Sequence, residues 1–111
     1  MTEKDIPTNL EKLSQELRRG VLVLAALSQL TQARYGYALI ELLSRQGLEI
    51  DQGTLYPLLR RLEEQGLLES EWKIEEARPR RYYQLSLPGR ELLKQLSLEW
   101  KNIAKVMDNL L

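Results

Sequence analysis

Residues 51–66, DQGTLYPLLRRLEEQG, place hydrogen-bonding and cationic side chains along one side of a predicted helix. At 100° per residue, Leu55, Leu58, Leu59 and Leu62 form an apolar stripe. The opposite side carries Gly53, Thr54, Pro57, Arg60, Arg61 and Glu64. Because glycine and proline weaken helices, propensity alone does not favour this composition. The pattern indicates a helix whose leucine stripe packs against a core. Its opposite side, the front, carries groups that can form hydrogen bonds and bind anions.

Composition excludes several kinds of active site. The chain has 111 residues, 43% hydrophobic and 29% charged, which fits one compact globular domain. Cysteine and histidine are absent, which excludes disulfides, thiolate-bound zinc and histidine-based hydrolase chemistry. We therefore expect no enzyme activity, cofactor or metal. The longest apolar run, residues 21–27, is too short to span a membrane, and the start MTEKDIP lacks the form of a signal peptide, so we expect a cytoplasmic protein.

Opposite charges are separated along the second half of the chain, although the net charge is zero. Residues 63–76 contain six glutamates and one lysine, whereas residues 77–90 contain four arginines and no acid. Zero net charge counts against a protein that binds any nucleic acid through bulk charge. The segregation still allows a locally basic surface around RPRR at 78–81.

Hydrophobic periodicity predicts four helices and one hairpin. The helices cover about 9–30, 35–46, 51–66 and 88–111, the hairpin covers 67–86 with EEARP at its tip, and 48–50 forms a turn or a small edge strand. Thr8 and Glu11 have the spacing of a capping box for the first helix. Gly20 inside that helix indicates a bend or a close helix contact. Asp51 and Ser86 are predicted to cap the third and last helices.

The order helix, helix, turn, helix, hairpin, helix is the winged form of the helix-turn-helix. The predicted fold is mainly α with a small β-hairpin. Residues 1–87 form the winged-helix part and 88–111 a C-terminal dimerisation helix, within one compact domain. In this fold the third helix enters the DNA major groove and the wing reaches the neighbouring backbone. The polar side of 51–66 then has a candidate partner, because its hydroxyl and guanidinium groups can reach bases and phosphates.

Four segments resemble the PadR family of bacterial transcription regulators, winged-helix proteins that mostly act as repressors. The segments are YGYALIELL at 35–43, GTLYPLLRRLEEQGLLES at 53–70, RPRRYYQLSLPG at 78–89 and LSLEWKNIAKVM at 96–107. The single C-terminal helix is similar to the smaller subfamily that includes multidrug-sensing regulators. Ser86 stands where the family often has threonine, a change that keeps the capping hydroxyl. The resemblance implies DNA contacts by Thr54, Tyr56 and Arg60 on the third helix and by Arg78, Arg80 and Arg81 in the wing.

The candidate DNA-contacting set combines the winged-helix order with this resemblance. It comprises Tyr37, Gln52, Gly53, Thr54, Tyr56, Arg60, Arg61, Lys73, Arg78, Arg80 and Arg81. An alternative for Arg60 and Arg61 is a solvated helix face whose charges pair with Glu63, Glu64 or Glu76. For the segment 78–81, the alternative to DNA contact is a surface turn with no binding role. Trp72 alternates with the apolar side of the hairpin and is predicted to be core.

The last helix carries an apolar seam with alternating spacings of three and four. Its members are Leu93, Leu96, Trp100, Ile103, Met107 and Leu110, with Leu92 and Val106 widening it. The seam predicts a twofold homodimer, with the alternative that part of it returns to the first helix of its own chain. Trp100 and its expected neighbours, Leu17, Val21, Leu96 and Ile103, predict a slot for a flat hydrophobic aromatic ligand. Pure dimer packing is the competing explanation for Trp100.

Together these predictions describe a homodimeric winged-helix repressor that binds double-stranded DNA at a palindromic operator and is released by an aromatic hydrophobic effector. The alternative is a winged-helix module that binds a protein without reading DNA sequence, which zero net charge and the acidic run 63–76 favour. Salt distinguishes the two, because DNA affinity falls with a log–log slope of about 0.9 per neutralised phosphate. An enzyme is the third and weakest alternative.

Overall fold

The computed structural model describes residues 5–111 and has the predicted winged-helix order. Its elements are α1 (Ile6–Ser28), β1 (Arg34–Tyr35), α2 (Gly36–Arg45), α3 (Gln52–Glu64), β2 (Leu68–Glu75), β3 (Arg78–Leu85) and α4 (Leu87–Leu110). The fold is mainly helical with one small antiparallel sheet, as the periodicity predicted. Our prediction that the N-terminal segment MTEKDIP is not a signal peptide concerns residues 1–7. Residues 1–4 of this segment lie outside the described residues.

The start of α1 differs from the prediction. The helix begins at Ile6 after Asp5, which makes no side-chain capping hydrogen bond, so the predicted capping box at Thr8 and Glu11 is wrong. Proline has no N–H to lose and a backbone angle that suits the first turn, which explains why Pro7 allows an earlier start. The helix ends at Ser28, two residues earlier than predicted. Within the protomer, a methyl group added at Gly20 would meet no atom within 4 Å, so this glycine makes no close intramolecular contact.

The sheet has three strands in the order β1-β3-β2, one more than the predicted hairpin. The added strand pairs Arg34 with Tyr83 and Tyr35 with Tyr82. A hydrogen bond from the Leu85 N–H to the Leu30 carbonyl, 2.8 Å long, holds the connection after α1 against β3. Periodicity cannot reveal a two-residue strand, because its stability comes from pairing with residues far along the chain. Segment 48–50 forms neither the predicted turn nor a strand: the turn after α2 lies at 46–47, and 48–50 is an irregular connection to α3.

The core lies between the back of α3, the C-terminal half of α1, α2 and the base of the sheet. Its buried members include Leu27, Leu30, Leu39, Leu43, Leu55, Leu59, Leu62, Leu68, Tyr83 and Leu85. The prediction that Trp72 is core is wrong, since 63% of its surface is exposed. The strands continue beyond the base of the wing, where Leu68 is buried, and no helix or strand within residues 5–111 covers the ring of Trp72. Alternation along a strand defines a face but does not guarantee that the face is covered.

The junction between the wing and α4 is closely packed. Ser86 caps α4 as predicted: its hydroxyl accepts from the Gly89 N–H at 3.1 Å and donates to the Gly66 carbonyl at 2.6 Å. A methyl group at Gly89 would overlap the backbone carbonyl of Leu67. Glycine is therefore needed at this position so that the first turn of α4 can approach the chain that enters the wing.

We expect Gly89→Ala to lower the free energy of unfolding by about 2 kcal/mol. The backbone at this packed junction can move only slightly to make room for the added methyl group. Gly53→Ala is the matched control. Gly53 also lies in the first turn of a helix, but there the added carbon would make an ordinary 3.7 Å contact with Asp51. Urea unfolding should show a change within about 0.5 kcal/mol for the control. Equal stability of the two variants would contradict the close approach.

The C-terminal seam is only partly covered within one protomer. Leu93 and Leu96 pack against the edge of the core. Beyond them, Trp100 and Ile103 are 46% and 44% exposed, and Val106, Met107 and Leu110 are also exposed. Leu96, Trp100 and Ile103 lie beside Leu17 and Val21 of α1, so part of the seam does return to the first helix of its own chain, as the alternative states, whereas the end of the seam stays exposed. No helix within residues 5–111 combines the length and apolarity needed to cross a membrane.

Candidate nucleic-acid interface

The helix α3 has the two sides that its sequence predicts. The four leucines of the apolar stripe are buried, whereas Gln52, Gly53, Thr54, Pro57, Arg60 and Arg61 are exposed. The Asp51 carboxylate caps the helix by accepting from the Thr54 N–H at 2.7 Å. Hydrogen bonding by the Thr54 side chain, and then by the Thr54 N–H, lowers the pKa of the Asp51 carboxyl group. Because Pro57 has no N–H, it cannot donate the usual helical hydrogen bond to the carbonyl of Gly53.

The two arginines of α3 face different flanks of the helix. Arg60 lines a cleft between α3 and the wing, which we call the wing cleft. It is lined by Tyr35, Gly36, Tyr56, Arg60, Trp72, Pro79, Arg80, Arg81 and Tyr83. Arg61 lies on the other flank, in a groove shared with Arg19 of α1, Thr54 and Pro57. The exposed front of α3 is thus bordered by guanidinium groups on both sides.

The position of Tyr56 is set by a glycine that sequence reasoning did not single out. Tyr56 is half-buried, and a methyl group at Gly36, the first residue of α2, would overlap its ring. The ring therefore lies against the bare backbone of α2, which holds it at the mouth of the wing cleft. Gly36 is separated from Tyr56 by twenty residues, so no local pattern could have linked the two.

The front face of the wing is tied to α3 by charge. Arg81 donates to one oxygen of Glu63 at 2.7 Å and to the Ser70 hydroxyl at 3.0 Å, and the same hydroxyl donates to the other oxygen of Glu63. Glu63 therefore pairs with Arg81 of the wing, instead of with Arg60 or Arg61 as the solvated-face alternative proposed. The arrangement connects α3, β2 and β3 through one carboxylate.

The back face of the wing holds its cations against aromatic rings. The Arg80 guanidinium lies 4.6 Å from the centre of the Tyr35 ring, and the Lys73 ammonium lies 4.8 Å from the centre of the Tyr82 ring. Tyr82 donates to Glu75 at 2.7 Å, a hydrogen bond that raises the pKa of the phenol. Arg80 and Glu75 also form an ion pair at 3.4 Å. These contacts keep the cations in place near the wing tip.

The structure brings some of the candidate DNA-contacting residues together and separates others. Tyr56, Arg60, Arg80 and Arg81 meet in the wing cleft. Gln52, Gly53 and Thr54 lie at the exposed N-terminus of α3, and Lys73 and Arg78 lie on the outer part of the wing. Tyr37 is outside the cleft, 52% exposed at the start of α2, and a hydrogen bond with Glu41 raises the pKa of its phenol.

A separate apolar groove of about 450 Å³ lies between α1 and α4. It is lined by Leu17, Gly20, Val21, Val23, Leu24, Leu96, Glu99, Trp100 and Ile103. All five residues expected around an aromatic ligand thus lie together in this α1–α4 groove. Sequence reasoning expected no acid among them and missed Glu99, which lies one residue before Trp100 on α4.

Comparison with known proteins accounts for this architecture. Residues 23–95 match the family model described as the transcriptional regulator PadR-like family. A crystal structure of a PadR family transcriptional regulator from Eggerthella lenta is 40% identical, covers 96% of both chains and superposes with a TM-score of 0.87. A PadR-like transcription factor from Bacteroides fragilis is 30% identical over 90% of this chain and 99% of its own, with a TM-score of 0.75.

A sequence match of 44% identity over 61 residues links the chain to the transcriptional regulator Rv3488 of Mycobacterium tuberculosis. That match spans 55% of this chain and 57% of the length of the mycobacterial protein. The family model covers more than half of the chain and includes α2, α3 and the wing. The protein therefore belongs to the PadR-like family of transcriptional regulators.

Proposed function

We propose that this transcriptional regulator is a repressor that binds an inverted-repeat operator as a homodimer and is released by an aromatic hydrophobic compound. The observation that carries the proposal is the exposed front of α3, which presents hydrogen-bonding and cationic groups directly opposite a buried leucine stripe. An amphipathic helix so anchored can enter a major groove without disturbing the core. Histidine and cysteine, which most hydrolases and zinc enzymes use, are absent from the sequence.

Each part of the interface has a role in this proposal. The N-terminus of α3, with Gln52, Gly53 and Thr54, reads base edges, and Arg60 reaches bases or backbone from the side of the wing cleft. Tyr56 donates its hydroxyl to a phosphate. The cations of the wing, Lys73, Arg78, Arg80 and Arg81, contact the adjacent backbone. Tyr37 and Arg61 contact phosphates at the borders.

The exposed part of the seam supports the homodimer. Five side chains of the seam and its widened edge beyond Leu96 stay 42–72% exposed in the protomer, over about the last three turns of α4. Packing them against a second copy around a twofold axis buries the same surface on both chains. The axis also places two α3 helices for two half-sites about one turn of DNA apart.

Effector release follows from the position of the α1–α4 groove beside the seam. Trp100 belongs to both, so an aromatic compound stacked on it contacts the surface that sets the spacing of the two DNA-binding units. A ligand that prefers one spacing shifts the population towards it, in proportion to its difference in affinity for the two states. The apolar lining favours a neutral or cationic aromatic molecule, since Glu99 at its rim repels anions.

The proposal is tested by selecting bound duplexes from a random DNA pool at near-physiological salt and sequencing them. We expect an inverted repeat with half-sites about a turn apart, and an affinity that falls steeply with salt. Failure to enrich any motif, together with loss of binding on modest addition of salt, would instead support the module that binds protein.

We expect Gly36→Ala to weaken operator binding about fivefold, because the added methyl group displaces the Tyr56 ring and removes one hydrogen bond to phosphate. Tyr56→Phe, which removes only the hydroxyl, should cause a similar loss. Binding of both variants can be measured by fluorescence anisotropy of a labelled operator. Full affinity of Tyr56→Phe would show that the ring position, and not the hydroxyl, is what Gly36 protects.

A further inference from the structure

We propose that Trp72 is a DNA-contacting residue, and that its indole ring packs on the deoxyribose face of the backbone beside the major groove. This inference rests on the proposed function, since it assigns an additional contact to the same interface. The ring N–H is a donor that can reach the adjoining phosphate. Ile74 and Pro79 extend the apolar contact towards the tip of the wing.

The exposure of Trp72 is the first observation behind this assignment. A tryptophan that serves only the core does not leave 63% of its surface in solvent, and Ile74, two residues on, is 81% exposed. Isolated apolar residues on a surface are ordinary, but two on the same strand face, opposite a proline, form a continuous apolar strip. Such strips indicate a binding surface.

The direction of the ring is the second observation. In the β2–β3 ladder Trp72 is paired with Arg81, Ser70 with Tyr83 and Ile74 with Pro79. These pairs share one face of the wing, because side chains alternate along each strand. Ser70 and Arg81 on that face bond to Glu63 of α3, so the face is turned towards α3. Trp72 accordingly lines the wing cleft together with Tyr56 and Arg60.

The ring is also held in position before any ligand arrives. The Arg81 guanidinium lies 5.8 Å from its centre and is itself fixed by the ion pair with Glu63. A pre-positioned aromatic side chain loses little conformational entropy on binding, which makes tryptophan an effective contact residue. The contact would therefore add affinity without requiring the wing to rearrange.

Charge identifies DNA as the occupant of this surface. Arg60 of α3 lines the cleft beside the ring and makes no ion pair within residues 5–111, while Arg80 and Arg81 line it from the wing, paired with Glu75 and Glu63. None of the residues that line this cleft is acidic. A DNA backbone alternates anionic phosphates with apolar sugars at a regular spacing. An apolar ring between guanidinium groups matches that alternation, while an uncharged protein groove does not.

The first test uses intrinsic fluorescence, since the chain contains two tryptophans, Trp72 and Trp100. Titrating the selected operator into the protein should shift the emission and protect it from acrylamide quenching. The same titration of Trp72→Phe, in which Trp100 is the remaining fluorophore, should lose most of this response. An unchanged response in Trp72→Phe would place the signal at Trp100 and overturn the contact.

The second test measures affinity and its salt dependence. Trp72→Ala should bind operator and random duplex about tenfold more weakly, as truncation of one buried aromatic contact does. The slope of affinity against salt should stay the same, because no charge is removed. Arg78→Gln should instead lower that slope by about 0.9. Leu87→Ala, which truncates an 82% exposed side chain at the start of α4 that does not line the wing cleft, serves as the control with unchanged binding.

Failure of the inference is distinguishable from failure of the proposed function. If the parent protein selects an operator and Trp72→Ala binds it equally well, Trp72 does not contact DNA. If the parent selects no duplex at all, the proposed function itself fails, and the inference with it. A loss confined to Trp72→Ala with a lowered unfolding temperature would indicate a folding defect. In that case the more conservative variants Trp72→Phe and Trp72→Leu decide the question. Full DNA affinity of both variants would overturn the contact. Weakened binding by a folded Trp72→Leu variant would support it.

Discussion

Arg60→Ala is expected to weaken specific DNA binding by about tenfold to a hundredfold while leaving the unfolding temperature unchanged. Arg60 is exposed on α3 and makes none of the ion pairs that tie the wing to the helix, so its removal should not alter the fold. The magnitude corresponds to loss of one base or backbone contact by a guanidinium, about 1–3 kcal/mol. Binding to the selected operator and to random duplex should be compared at constant salt.

The matched control for this prediction is Arg45→Ala, which removes another exposed arginine, at the end of α2. Both variants change the net charge by one, so a difference between them reflects position and not bulk electrostatics. Arg61→Ala tests the other flank of α3. Full affinity of Arg60→Ala with a loss in Arg61→Ala would mean that the helix meets DNA through the side that faces α1.

Trp100→Ala is expected to weaken dimerisation by about thirtyfold or more. An aromatic residue at the centre of an interface commonly contributes about 2 kcal/mol or more when truncated, and Trp100 is half exposed in the protomer, at the middle of the seam. Sedimentation equilibrium over a range of concentrations measures the change. Leu98→Ala is the control, since Leu98 is exposed on the same helix but lies off the seam.

The same variant tests the effector site. The α1–α4 groove loses its largest aromatic wall, so binding of a flat neutral dye such as Nile red should disappear in Trp100→Ala. Unchanged dimerisation and unchanged dye binding together would remove the proposal of a ligand slot at the dimer centre. Weakened dimerisation with intact dye binding would leave Trp100 as a packing residue and place the dye elsewhere.

Much of the fold was predictable because the interactions that form it are local. The leucine stripe of α3 repeats within a few residues, and the caps at Asp51 and Ser86 act on N–H groups three residues away. Such patterns operate wherever the segment lies in the protein. The number and order of the main elements, the buried side of α3 and the apolar seam of α4 all follow from patterns of this kind.

The errors concern residues whose partners are distant in the chain. The strand at 34–35 exists because 82–83 pair with it, and the exposure of Trp72 depends on how far α3 extends over the wing. Periodicity placed Trp72 on the same side of its strand as Leu68, which is buried. It could not show that this face is covered at its base and open towards its tip.

In the candidate interface, too, local features were predictable and contacts between distant residues were not. Residue types and spacing identified the exposed side of α3 and the arginines of the wing. The fold alone shows that Glu63 joins Arg81 across the wing, that Gly36 leaves room for Tyr56, and that Trp72 lies beside Arg60 in one cleft. The physical reason is that a side chain's type sets what it can bind, whereas its orientation and exposure arise from packing between segments that the chain brings together only on folding.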